Sequence, residues 1–125
     1  MNEYLNRVAE VLLKQTKARK LNDVEVLSLR LHRAQEELGE TSRAFRDWCN
    51  HKDDVDPWPG YVKAFGRNSS PTIQPWKEHL VEETVDCVIS SLALFAATAG
   101  TSEEFEEIFK RKMDKWEQNI TKAVD

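Results

Sequence analysis

Five acidic residues stand at spacings that chemistry can use. Glu36, Glu37 and Glu40 surround Gly39, and Glu83 and Asp86 lie three apart further along the chain. On a helix, residues three apart are neighbours on one face, so Glu37 pairs with Glu40 and Glu83 pairs with Asp86. Each pair lies beside an apolar stripe, where a second helix would pack. Four carboxylates brought together suit a hard divalent cation such as Mg²⁺, which prefers oxygen ligands. Two carboxylates about 5 Å apart repel by roughly 3 kcal/mol at an effective dielectric of 20. A cluster of four must therefore protonate, splay or take up a cation. Spacing alone leaves open the plainer alternative that these side chains, with Glu82, only solvate two helix surfaces.

Other chemistries lack their residues. None of His32, His51 and His79 stands three after a glutamate, as a di-iron bundle requires. Cys49 and Cys87 lie far apart, and Cys49 with His51 does not make the four-ligand Cys/His cluster of a structural zinc site. There is no Gly-rich phosphate loop and no nucleophile elbow. His79 precedes Glu83 by one turn and is expected to be an exposed helix residue, with contact to the acidic site as the alternative.

The elements that must position the acids are helices. All four prolines and two of the four glycines fall between residues 57 and 75, which marks one long connection, 53–75. Around it four helical patterns are legible. The first runs from about Asn2 to Lys20, with Tyr4, Leu5, Val8, Val11 and Leu12 on one side. Lys14, Lys17, Arg19 and Lys20 gather at its end, where cations favour the helix dipole. The second starts at Asn22 or Asp23, either a good N-cap, and reaches His51. Its stripe of Leu27, Leu31, Ala34, Leu38, Thr41, Phe45 and Trp48 is expected to face a neighbouring helix. The third begins at Pro75, a favoured first-turn residue, and is apolar nearly all round from Cys87 to Ala99, as an enclosed helix is. The fourth opens on a capping box from Thr101 to Glu104 after a C-cap at Gly100. No run alternates with the period of a strand.

The expected fold is therefore all-α, a bundle of about four main helices in a single domain, 1–125. A short helix carrying Trp58, Tyr61 and Phe65 is expected inside the connection. These rings are read as covering one end of the core, with stacking on a base (and Lys63 and Arg67 on phosphates) as the alternative. A 125-residue chain hardly covers both the long second helix and an enclosed third one, so a homodimer or homotetramer is expected. The formal charge of −4 and pI near 5.4 argue against a nucleic-acid binder. Two cysteines fit a reduced, cytoplasmic protein. The first residues lack a signal-peptide layout, and the run from Cys87 to Ala99 is too short to span a membrane.

Glu36-Glu37-Leu38-Gly39-Glu40, followed by Glu83-Thr84-Val85-Asp86, resembles the EExxE…ExxD signature of the all-α nucleoside triphosphate pyrophosphohydrolases. This is the MazG-like superfamily, which includes dimeric dUTPases and phosphoribosyl-ATP pyrophosphohydrolases. The resemblance implies a helical bundle that assembles as a dimer or tetramer and binds Mg²⁺, with Mn²⁺ as a substitute. It implies cleavage of a nucleoside triphosphate to monophosphate and pyrophosphate. Carried across by position, Glu37, Glu40, Glu83 and Asp86 are the metal ligands and Glu36 activates the attacking water. Lys115 and Asn119, with Lys112 one turn earlier, match a phosphate-gripping Lys-x-x-x-Asn element. The connection is longer than the family usually shows. The rival from another class is a helical interaction protein whose acidic faces dock a basic partner.

Overall fold

A computed structural model describes residues 2–19, 22–68, 73–98 and 102–124. In chain order the helices are α1 (Asn2–Arg19), α2 (Asp23–His51), α3 (Trp58–Phe65), α4 (Pro75–Ala97) and α5 (Ser102–Val124), and the described residues hold no strand. Four long helices match the four patterns, and α3 is the short helix of the connection. Gly100, Thr101 and Lys20, on which the C-cap, the capping box and part of the α1 cation cluster were placed, lie outside the described residues. Among those residues no helix is long and apolar enough to cross a membrane.

Local chemistry fixes the ends of the two site-bearing helices. Asn22 Oδ1 accepts from the Glu25 N–H at 2.9 Å while the Asn22 N–H donates to Glu25 Oε1 at 3.3 Å, a complete capping box at the start of α2. Gln74 accepts from the Lys77 N–H at 2.8 Å, capping α4 just before Pro75, and its amide nitrogen donates to the carbonyl of His51 at 3.3 Å. One side chain thus ties the end of α2 to the start of α4.

The helix α4 is the hub. It packs most extensively on α2 and also on α1 and α3, while α5 contacts α1 and sets Phe105 against Phe95 of α4. The buried apolar residues are Leu5 and Leu12 of α1, Val26 and Ala44 of α2, Tyr61 of α3, and Trp76, Leu92 and Ala93 of α4. Trp76 anchors the α3 end, with His51 stacked on it at 4.1 Å and Tyr61 and Phe65 meeting it edge-on at 5.5 and 5.7 Å. The α3 rings therefore cover the first turns of α4. Arg67 pairs with Glu82 at 2.9 Å.

The α2 stripe faces α4 only in part. Thr41 and Trp48 of the stripe are half-buried and meet Glu83 and Lys77 of α4, whereas Leu27, Leu31, Leu38 and Phe45 are exposed and the buried residues of α2 are Val26, Glu37 and Ala44. The reason is helix spacing. The Thr41 hydroxyl lies 2.9 Å from the Glu37 carbonyl and 3.1 Å from the Glu83 carbonyl, an approach that small residues permit and leucines would block. Val81, Val85, Val88 and Ile89 of α4 are each about half exposed, so one chain leaves this helix partly uncovered, as its length led us to expect.

Candidate functional site

At the level of the Thr41 contact, Glu37 of α2 meets Glu83 and Asp86 of α4. One carboxylate oxygen from each lies within 4.8 Å of the others. The position follows from the helices. Glu37 lies one turn before Thr41 on the inward face of α2, and the Thr41 hydroxyl pins the backbone of Glu37 to that of Glu83. Asp86, three residues after Glu83, shares its face. Burial falls off outward: Glu37 is 3% exposed, Glu83 is half-buried and Asp86 is exposed. The cluster is rooted in the helix interface and open at its Asp86 side.

Burial pushes the Glu37 and Glu83 carboxyls above the ordinary carboxylate range. For Glu37 the Arg33 guanidinium opposes that rise, whereas Glu40 and Asp86 add to it. For Glu83 the further causes are Glu40, Asp86 and Glu82. The half-buried Glu40 is thus a fourth carboxylate close to both, although it stands outside the tightest group of three. Glu37 Oε2 and Glu83 Oε2 are buried and meet no hydrogen-bond partner among the described residues. Buried carboxylate oxygens ordinarily have one. Two orphaned acceptors among four clustered carboxylates fit a hard cation, and an all-oxygen set suits Mg²⁺ or Mn²⁺.

Glu36 lies outside the cluster. It is exposed, and its Oε2 accepts from Arg33 at 3.1 Å. The other terminal nitrogen of Arg33 lies 2.9 Å from Glu37 Oε1 in an ion pair. Arg33 was missed in the sequence, although its position four residues before Glu37 is an ion-pair spacing. His79 also needs correction. It is half-buried, its Nε2 is 3.8 Å from Glu83 Oε1, and its ring packs on Phe65 at 4.5 Å. The connection therefore reaches the acidic cluster through Phe65 and His79. Lys112, Lys115 and Asn119 are exposed on α5, and none of them figures among the groups acting on Glu37 or Glu83.

On another part of the surface, α1 and α4, with Arg30 of α2, line an open groove of about 770 Å³ whose walls include Tyr4, Leu12, Val85, Val88, Ile89 and Leu92, with Arg7 at its edge. Comparison with protein-family models, curated proteins and solved structures finds no match for the chain.

Proposed function

We propose that the chain is a Mg²⁺-dependent nucleoside triphosphate pyrophosphohydrolase of the MazG-like type, with Mn²⁺ able to replace Mg²⁺. The observation that carries this reading is the convergence of Glu37, Glu83 and Asp86 within 4.8 Å beside Glu40, with two buried carboxylate oxygens unsatisfied. Glu37, Glu40, Glu83 and Asp86 would hold the cation. When bound, it supplies positive charge to the triphosphate and acidifies a water.

The remaining chemistry belongs to side chains. Glu36 is solvent-facing beside Arg33 at the edge of the cluster, and by the resemblance it is the general base that takes the proton of the attacking water. Thr41 fixes the separation of α2 and α4, which holds the ligand pairs in register. Lys112, Lys115 and Asn119 remain the phosphate-gripping candidates by resemblance, from the same subunit or a neighbouring one. A homodimer or homotetramer would cover the exposed apolar faces of α2, α4 and α5.

The test is phosphorus NMR of products across a nucleotide panel, dUTP and phosphoribosyl-ATP included, with pyrophosphatase excluded. The expected first products are nucleoside monophosphate and pyrophosphate. Diphosphate with orthophosphate would make the chain a γ-phosphate hydrolase. No turnover together with no response to Mg²⁺ would leave an acidic docking face.

A further inference from the structure

Arg33 is no part of the carboxylate pattern, yet it closes on it. Its two terminal nitrogens hold different acids, Glu36 Oε2 at 3.1 Å and Glu37 Oε1 at 2.9 Å. The two pairs differ in what they can lose. Glu37 is 3% exposed, its second oxygen has no partner, and a buried carboxylate stripped of its counter-charge is strongly destabilising. The Arg33 side chain is 53% exposed, and a guanidinium that leaves toward solvent exchanges one ion-pair contact for water. Its pair with Glu36 is an exposed one three residues apart, worth little and free to persist as the side chain swings. While ionised, Glu37 therefore needs a cation, whereas Arg33 does not always need Glu37.

We propose that Arg33 is a displaceable counter-ion of the acidic site: it neutralises Glu37 while no divalent cation is bound and gives up Glu37 Oε1 when one enters. This rests on reading the four carboxylates as a divalent-cation site. It adds that the site carries its own competitor, which keeps the empty cluster folded and lowers its affinity for metal. The released guanidinium stays beside Glu36, at the rim where a triphosphate would arrive. Arginine matches phosphate oxygens in a two-point fork.

The test is calorimetric titration of Mg²⁺ and Mn²⁺ into wild type, Arg33→Gln and Arg33→Lys, with melting curves in chelator. Removing one unit charge at hydrogen-bonding distance from a ligand oxygen changes affinity for a divalent cation by about tenfold, even screened as in water. Arg33→Gln should therefore bind both metals about tenfold more tightly. It should melt lower than wild type without metal and gain more on adding it. Arg33→Lys keeps the charge and should stay within about threefold of wild type. Should Arg33→Gln fold only with metal, NMR of the arginine side chains in wild type replaces it. The Arg33 signals should then move with the midpoint that calorimetry gives for Mg²⁺. Unchanged or weaker affinity in Arg33→Gln, or Arg33 signals indifferent to Mg²⁺, would overturn the proposal and leave the cation site standing. No metal bound by any of the three proteins would overturn both.

Discussion

Glu37→Gln should stabilise the metal-free protein and abolish its response to Mg²⁺. The substitution keeps the side-chain shape and removes a charge that the fold opposes. Glu37 and Glu83 oxygens lie within 4.8 Å, where two unit charges repel by about 3 kcal/mol at an effective dielectric of 20. Against this stands the pair with Arg33, at 2.9 Å from a half-exposed side chain; solvent screening brings its worth down to about 1 kcal/mol. Burial also disfavours the charged form, and the carboxyl is pushed up despite Arg33. Repulsion and desolvation therefore win. The glutamine amide can also donate to Glu83 Oε2, which has no partner. The expected net gain is about 1–2 kcal/mol, or a melting temperature higher by about 3–8 °C for a chain of this size. Differential scanning calorimetry in chelator and in excess Mg²⁺ measures both effects. A Glu37→Gln protein that melts below wild type in chelator, or that still gains from Mg²⁺ as wild type does, would refute the reasoning.

Other outcomes follow from the same geometry. Because the Glu37 and Glu83 carboxyls are raised in the fold, the native state binds more protons than the unfolded chain just above the ordinary carboxylate pKa. Metal-free stability should then fall as pH rises through that window, relative to a Glu37→Gln/Glu83→Gln variant. Saturating Mg²⁺ should reverse the trend in wild type, because a bound cation favours the deprotonated ligands, and melting curves from about pH 4 to pH 8 that run parallel in chelator would contradict the reasoning. Glu36→Gln should lower kcat by at least about 100-fold with KM little changed; an unaltered kcat removes Glu36 from the mechanism. A Cβ added at Gly39 meets nothing within 4 Å, so Gly39→Ala should raise stability by about 1 kcal/mol in urea unfolding. A loss instead would mean that another body approaches that face.

The helices were legible because apolar spacing, caps and prolines are local signals. Asn22 with Glu25, and Gln74 with Pro75, start α2 and α4 where their residue types require. The rotation of α2 was not legible. Periodicity reveals that Leu27, Leu31, Leu38 and Phe45 share a face, and says nothing about which body covers it. The deciding contact, Thr41 to the Glu83 carbonyl, joins residues far apart in sequence. Glu37, Glu83 and Asp86 emerged from spacing because helix geometry carries each pair as a unit. Arg33 did not, since a cation four residues before an acid is common on any charged helix. His79 was misjudged because its burial depends on Phe65, which the connection brings over it. The place of Lys112, Lys115 and Asn119 depends on how α5 docks, and an amphipathic pattern does not encode its partner.

The claim at the centre is that the carboxylates of α2 and α4 hold a divalent cation on a triphosphate. Anomalous diffraction at the manganese edge, from crystals grown with Mn²⁺ and a triphosphate whose α–β bridge resists hydrolysis, addresses it directly. The expected result is a manganese peak among Glu37, Glu40, Glu83 and Asp86 with phosphate oxygens beside it. Density for the triphosphate with no manganese at those four residues, or manganese held elsewhere, would contradict the account.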